Sequence, residues 1–298
     1  MKFLKTTAIR KIYQLRNKIK GIQGGTSAGK TFGILPILIN QCVHNPNIEI
    51  SVVGETVPHL RRGVIRDFKK IMKTTGRWNP NNWKESISTY TFSNGAWIEF
   101  FSADDDSKLR GARRDILYIN EANNISFNAY TELSVRTKGH IFLDWNPTNS
   151  FWFHEHLMGD EDVDFLILTY LDNEACPQSA IDYILKAKSK AVTSPFWENW
   201  YKVYGLGQLG QLQGAIYTDW EVGEFNNSLV YGYGLDFGFK DPDALIKCAI
   251  DEKEMIVYLD EVLYKNNSGS SDLIKIMQSV VHNKSDLIIG DSASSRMI

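Results

Sequence analysis

The octet GGTSAGKT, residues 24–31, matches the spacing G-x-x-x-x-G-K-[ST]. That spacing has a physical basis. Gly24, Gly25 and Gly29 let the backbone curl, so that successive N–H groups through Thr26, Ser27 and Ala28 point inward at phosphate oxygens. Lys30 then reaches the β- and γ-phosphates, and Thr31 offers its hydroxyl to Mg²⁺. A Gly-rich turn capping a helix uses the same residue types, but this octet lies between an expected strand and an expected helix, where a phosphate loop must lie. The chemistry implied is the binding of a nucleoside triphosphate.

A second stretch, ILYINEANN at residues 116–124, complements the first. Its apolar run stops at Asn120 and Glu121, as expected of a buried strand delivering polar side chains to its carboxyl end. Beside a phosphate loop, such a strand carries an acidic pair, one member near Mg²⁺ and one near the attacking water. Glu121 takes the second place, as the base that orients and polarises water for attack on the γ-phosphorus. Asn120 stands where an Asp is usual. It keeps a carbonyl oxygen for the metal or its water shell but lacks a unit charge. At about 4 Å and an effective dielectric near 20, that attraction is roughly 4 kcal/mol before desolvation. Weaker Mg²⁺ retention is expected rather than a dead site, with Thr31 and the phosphates holding the ion. The competing reading is that Glu121 caps the helix starting around Ser126.

The elements that must position these residues alternate from residue 18 to about 205. KGIQGG reads as a strand and KTFGILPILINQCV as a helix that Pro36 kinks or opens. IEISVVGE is a strand, HLRRGVIRDFKKIM a helix with a basic outer face, and ISTYTFSNGAWIEFFS a hairpin turning at residues 93–95. DILYIN, HIFLDWNP and VDFLILTY are three more strands. This predicts the α/β class: a mostly parallel sheet covered by helices. From Gly205 the texture changes. GLGQLGQLQGAIYTDW reads as a connector, followed by three strands, a helix and a strand. The expected organisation is a P-loop NTPase domain over 1–205, a linker over 206–228 and an incomplete second domain over 229–298.

The totals set outer bounds. A formal net charge of -2 over 298 residues gives no global positive field, so contact with nucleic acid needs local basic patches such as HLRRGVIRDFKK or KAKSK. No apolar run is long enough to span a membrane, and the basic N-terminal segment lacks the continuous apolar centre of a signal peptide. Cys42, Cys176 and Cys248 show no metal-ligand spacing, so a soluble chain without disulfides in a reducing compartment is expected.

A second acidic constellation lies in the C-terminal unit. Asp236 ends YGYGLD and Asp291 ends LIIGD. Three strands, a helix and a fourth strand is the opening order of the ribonuclease H-like fold, in which the first and fourth strands are adjacent and parallel. Carboxylates side by side on such strand ends bridge divalent ions, Mg²⁺ or Mn²⁺, roughly 4 Å apart. Asp241 and Asp243 read as a turn. His154 and His156 could share a strand face, but no further His or Cys lies nearby to complete a metal site.

Taken in order, GIQGGTSAGKT, FFSADDDSKLRG, ILYINEAN, FLDWNPTNSFWFHEH, TYLDNEACPQSAIDYI, YGYGLDFGFKDPDAL and LIIGDSAS resemble the blocks of the large subunit of tailed-bacteriophage terminases, over nearly the whole chain. The likeness is nearest to the group whose phosphate loop reads GGR-x-SGK-[ST]. The resemblance implies a P-loop ATPase that uses ATP and Mg²⁺ to move double-stranded viral DNA into a procapsid. It also implies a ribonuclease H-like, metal-dependent endonuclease that cuts concatemeric DNA in the complete protein. The implied partners are the portal protein, the procapsid, the small terminase subunit and further copies in a ring, in the host cytoplasm and away from membranes. Asn146 in DWNP falls in the family's coupling segment, which senses the γ-phosphate, although an Asn-Pro turn ending a strand explains it equally well. Tyr13 and Gln14 are placed to meet adenine, or simply belong to an amphipathic helix.

Two departures from the family pattern stand out: Asn120, and Thr26 where many relatives carry an arginine finger. Arg61, Arg62, Arg110, Arg113 and Arg114, or a neighbouring subunit, are the alternative sources of that charge. The family's third nuclease acid is expected beyond Ile298, so the chain as given is expected to be truncated and not to cut DNA. Two other readings stay open: a P-loop helicase or DNA-stimulated ATPase with a degenerate appended domain, and a non-enzymatic prophage remnant that binds nucleotide.

Overall fold

The computed structural model describes residues 4–103, 109, 111, 113–210, 220–237, 242–265, 270–281, 283 and 285–290. The chain divides into two units, Met1–Ala215 and Ile216–Ile298. The boundary falls inside the segment expected to be a linker. The first residues of that segment belong to the first unit: Gly210 donates its N–H to Pro147 O, and Gly207 O accepts from the Gln23 side chain.

The first unit is built on β1 (Ile19–Gly24), β2 (Glu49–Gly54), β3 (Trp83–Lys84), β4 (Thr89–Thr91), β5 (Trp97–Ser102), β6 (Ile116–Asn120), β7 (Ile141–Trp145) and β8 (Val163–Leu168). They form one sheet in the order β3-β4-β5-β2-β6-β7-β1-β8. Every pairing from β5 to β8 is parallel, and β3 and β4 join antiparallel at one edge. The helices are α1 (Thr7–Gln14), α2 (Lys30–His44), α3 (Val57–Arg62), α4 (Val64–Thr74), α5 (Phe127–Val135), α6 (Trp152–His156), α7 (Gln178–Ala191) and α8 (Pro195–Trp200).

The apolar run of β6 shows why the sheet is covered on both faces. Ile116 and Tyr118 pack into one core with Ile34, Leu38 and Phe68 from α2 and α4. Leu117 and Ile119 pack into another with Leu133, Trp145 and Phe153. Alternate side chains point to opposite faces, so a strand buried on both sides reads as continuously apolar.

Two local details depart from the sequence reading. The helix expected over residues 59–72 is two helices, because Gly63 adopts φ -103 and ψ -103 and breaks the hydrogen-bond ladder. His154 and His156 lie on a helix rather than a strand face: His154 Nε2 bonds Gln23 Oε1, and His156 stacks on Phe127.

The second unit contains β9 (Tyr231–Asp236), β10 (Asp243–Asp251), β11 (Ile256–Lys265), α9 (Ser270–Val280) and β12 (Ile288–Gly290). The sheet order is β11-β10-β9-β12, with β12 parallel to β9 and Gly290 opposite Leu235. The first and fourth strands are thus adjacent and parallel. Asp236 closes β9. Asp291 and Asp241 lie outside the described residues. Asp243 is not in a turn: it is the first residue of β10 and is buried. Among the described residues, no helix is long and apolar enough to cross a membrane.

Candidate active site

Because β1, β6 and β7 run parallel, their carboxyl ends lie together at one end of the sheet, where ligands of open α/β sheets bind. The loop after β1 is shaped by two glycines. Gly29 has φ +80, a region open to glycine, and a Cβ on Gly25 would sit 2.2 Å from Tyr204 O. Gly25 N–H donates to Leu168 O at 3.1 Å and Thr26 N–H to Tyr204 O at 2.9 Å. Asn173 Nδ2 donates to Ser27 O at 2.8 Å and fixes the crest of the loop.

Lys30 opens α2 and folds back across this loop. Its Nζ donates to Gly24 O (2.9 Å), Gly25 O (3.1 Å) and Asn146 Oδ1 (2.6 Å). Burial lowers its pKa to about 8, while the charges of Asp144 and Glu121 pull the other way. Asn146, two residues past Asp144 at the end of β7, therefore contacts the very ammonium a phosphate would meet.

Glu121 follows β6 directly, with φ 55 and ψ 58, a left-handed conformation rare for a residue with a side chain. Its side chain does not cap α5. Ser126 does that, its Oγ accepting from Ala129 N. The Glu121 carboxylate instead lies 3.1 Å from His59 Nε2 on α3 and accepts from Asn124 Nδ2 at 3.3 Å.

Asp144 lies opposite Asn120 in the β6–β7 register and is 2% exposed. Its Oδ1 accepts from Asn120 Nδ2 and from Glu121 N–H, both at 3.0 Å. Its Oδ2 accepts from Thr31 Oγ1 at 3.3 Å. The buried Tyr118 hydroxyl accepts from Asn120 Nδ2 at 3.3 Å, and burial followed by the charge of Asp144 pushes its pKa well above 10. Thr31 and Asp144 form an all-oxygen donor set, the kind a hard cation such as Mg²⁺ prefers.

A cleft of about 930 Å³ opens onto the loop, lined also by Asn146, by Arg66 and Lys70 of α4, and by Leu4, Ile9, Asn173 and Pro177. The sequence profile of a family described as phage terminase large subunit matches residues 16–203. The chain belongs to that family.

Solved large terminases share the fold of this terminase chain at low identity. The large terminase of a thermophilic bacteriophage is 15% identical with a TM-score of 0.59, covering 98% of this chain and 78% of its own. The same thermophilic-phage protein in complex with ATP-gamma-S gives 15% and 0.55, covering 96% and 77%. The HK97 bacteriophage large terminase gives 14% and 0.53, covering 85% and 60%. No curated protein matches the chain.

Within the terminase frame, the structure sorts the arginines considered for the finger. Arg114 is 2% exposed, donates to Leu133 O at 3.3 Å and lies over the Phe101 ring, so it is a core residue. Arg61, Arg62 and Arg113 are exposed and do not line the cleft, and Arg110 is outside the described residues. Tyr13, 59% exposed, and Gln14 do not line it either. Asp144, His59, Asn173, Arg66 and Lys70 were not singled out from sequence. Asp144 could have been found there, since it opens the DWNP coupling segment at the end of an apolar run. Among the described residues, no three His, Cys, Asp or Glu side chains group as a metal site.

Proposed function

We propose that this chain is the ATP-hydrolysing subunit that drives double-stranded viral DNA into a procapsid. The observation carrying this reading is the convergence of five residues at the carboxyl ends of β1, β6 and β7: Lys30 bonds Asn146, Thr31 bonds Asp144 and Asp144 bonds the Glu121 N–H, with Lys30, Thr31 and Asn146 lining the cleft. The loop N–H groups and the Lys30 ammonium bind the triphosphate, displacing Lys30 from the Gly24 and Gly25 carbonyls. Glu121 turns from His59 to orient water in line with the γ-phosphorus and accept its proton. Asn146, released from Lys30, reports the presence of the γ-phosphate to the chain after β7. Arg66 and Lys70 supply positive charge at the cleft wall in place of the arginine absent at Thr26. Magnesium, when bound with the nucleotide, supplies neutralisation of charge on the β- and γ-oxygens.

The fold shared with the thermophilic-phage protein, which has been solved with ADP and with ATP-gamma-S, supports ATP as the nucleotide. Family membership supports the remaining assignments. They are docking of a ring of copies on the portal of the procapsid, work with the small terminase subunit in the host cytoplasm, and cutting of concatemers by a nuclease. In that nuclease Asp236 and Asp291 hold Mg²⁺ or Mn²⁺. Phosphate release with and without double-stranded DNA tests the motor reading. Activity that rises with DNA and is lost in Glu121→Gln supports it, and activity indifferent to both contradicts it. Association with portal rather than unwinding of a forked duplex separates packaging from a helicase role.

A further inference from the structure

Glu121 is preceded by an amide, and the carboxylate expected there lies one strand away. Asn120 and Asp144 face each other across the β6–β7 pairing, joined by the 3.0 Å bond from Asn120 Nδ2 to Asp144 Oδ1. Two carboxylates at that separation in a buried site could not both ionise. One charge and one amide is the combination the site can hold, and the charge is on β7. The two oxygens of Asp144 have separate duties. Oδ1 takes the Glu121 N–H, anchoring the backbone of the proposed base. Oδ2 takes the Thr31 hydroxyl proton, which fixes the hydroxyl rotor and leaves the Thr31 lone pairs for a cation.

We infer that Asp144, not Asn120, is the carboxylate that holds magnesium at this site, through the Thr31 hydroxyl and its own charge. Asn120 is its hydrogen-bond partner. The inference rests on the nucleotide reading above and adds to it the residue that carries the metal-side charge. A purely structural Asp144, serving only to bond Glu121 N–H and offset Lys30, makes a different prediction, because its loss would not act on the metal selectively.

The experiment is a Mn²⁺ titration by electron paramagnetic resonance on the full chain loaded with a slowly hydrolysed ATP analogue. Analogue affinity in excess chelator is measured alongside. Asp144→Asn is expected to weaken Mn²⁺ about ten- to a hundredfold. In chelator the analogue should bind this variant at least as tightly as it binds the wild type, since a negative charge has left the phosphate site. The exchange Asn120→Asp with Asp144→Asn keeps one charge and one amide in the pair and is expected to return Mn²⁺ affinity to within about threefold. It also carries the test if the single variant fails to fold. Unchanged Mn²⁺ affinity in Asp144→Asn, or no recovery in the exchange variant, overturns the inference and leaves the nucleotide reading standing. Wild-type protein that binds no analogue at all removes both.

Discussion

Replacing Glu121 by glycine is expected to stabilise the protein while ending its hydrolysis. Glu121 sits at φ 55 and ψ 58, where the Cβ of an L-residue crowds its own backbone at a cost of about 1 kcal/mol. Its side-chain contacts return little of that: the pair with His59 is 43% exposed on both sides, in the range where ion pairs contribute ~0–1 kcal/mol. Glu121→Gly and Glu121→Ala both lose the carboxylate, so the difference between them isolates the backbone. Glycine should exceed alanine by about 1 kcal/mol, or roughly 2–4 °C in Tm for a unit of this size. Melting followed by circular dichroism, paired with a phosphate-release assay, measures both quantities. Neither variant should release phosphate. Equal melting temperatures, or a glycine variant less stable than alanine, would refute the claim that backbone strain is held at this strand end for function.

Other expectations concern the loop and its lysine. Asn146→Ala, which removes the 2.6 Å partner of Lys30, should lower kcat about tenfold or more with analogue affinity within about threefold, as stopped-flow phosphate release and analogue titration would show. Asn173→Ala should weaken analogue binding measurably by calorimetry, since the 2.8 Å bond to Ser27 O holds the loop crest. Gly25→Ala drives a Cβ to 2.2 Å from Tyr204 O and should destabilise the first unit by about 1–3 kcal/mol in urea melts. Phosphate contact should raise the Lys30 pKa from its free value of about 8. Affinity is then full below pH 8 and falls as pH rises above it, with proton uptake on binding. Calorimetry at pH 8.5 in buffers of different ionisation enthalpy should detect that uptake.

The frame of the first unit was legible because its signals are local. The octet around Lys30, the apolar runs of β6 and β7 and the Gly95 turn (φ +84) each depend on residues close in sequence. What stayed hidden depends on pairing across the chain. Asp144 reads as the end of an apolar run, and nothing local shows that β7 lies beside β6 with Asn120 opposite it. Arg114 reads as a candidate source of the finger charge, yet its guanidinium is buried over Phe101. The single helix read over 59–72 overlooked Gly63, whose backbone conformation divides it and leaves His59 on a separate helix facing Glu121. Residues just past Gly205 read as linker from their Gly and Gln content, although Gln23 and Pro147 hold them against the first unit.

The most direct measurement is a structure of the protein with a slowly hydrolysed ATP analogue and magnesium. The triphosphate should lie in the loop, with Lys30 moved from Asn146 to the γ-phosphate and Glu121 facing the same phosphorus across a water. Nucleotide seated elsewhere, or a Lys30 still bonded to Gly24 O and Gly25 O with the triphosphate bound, would contradict the account.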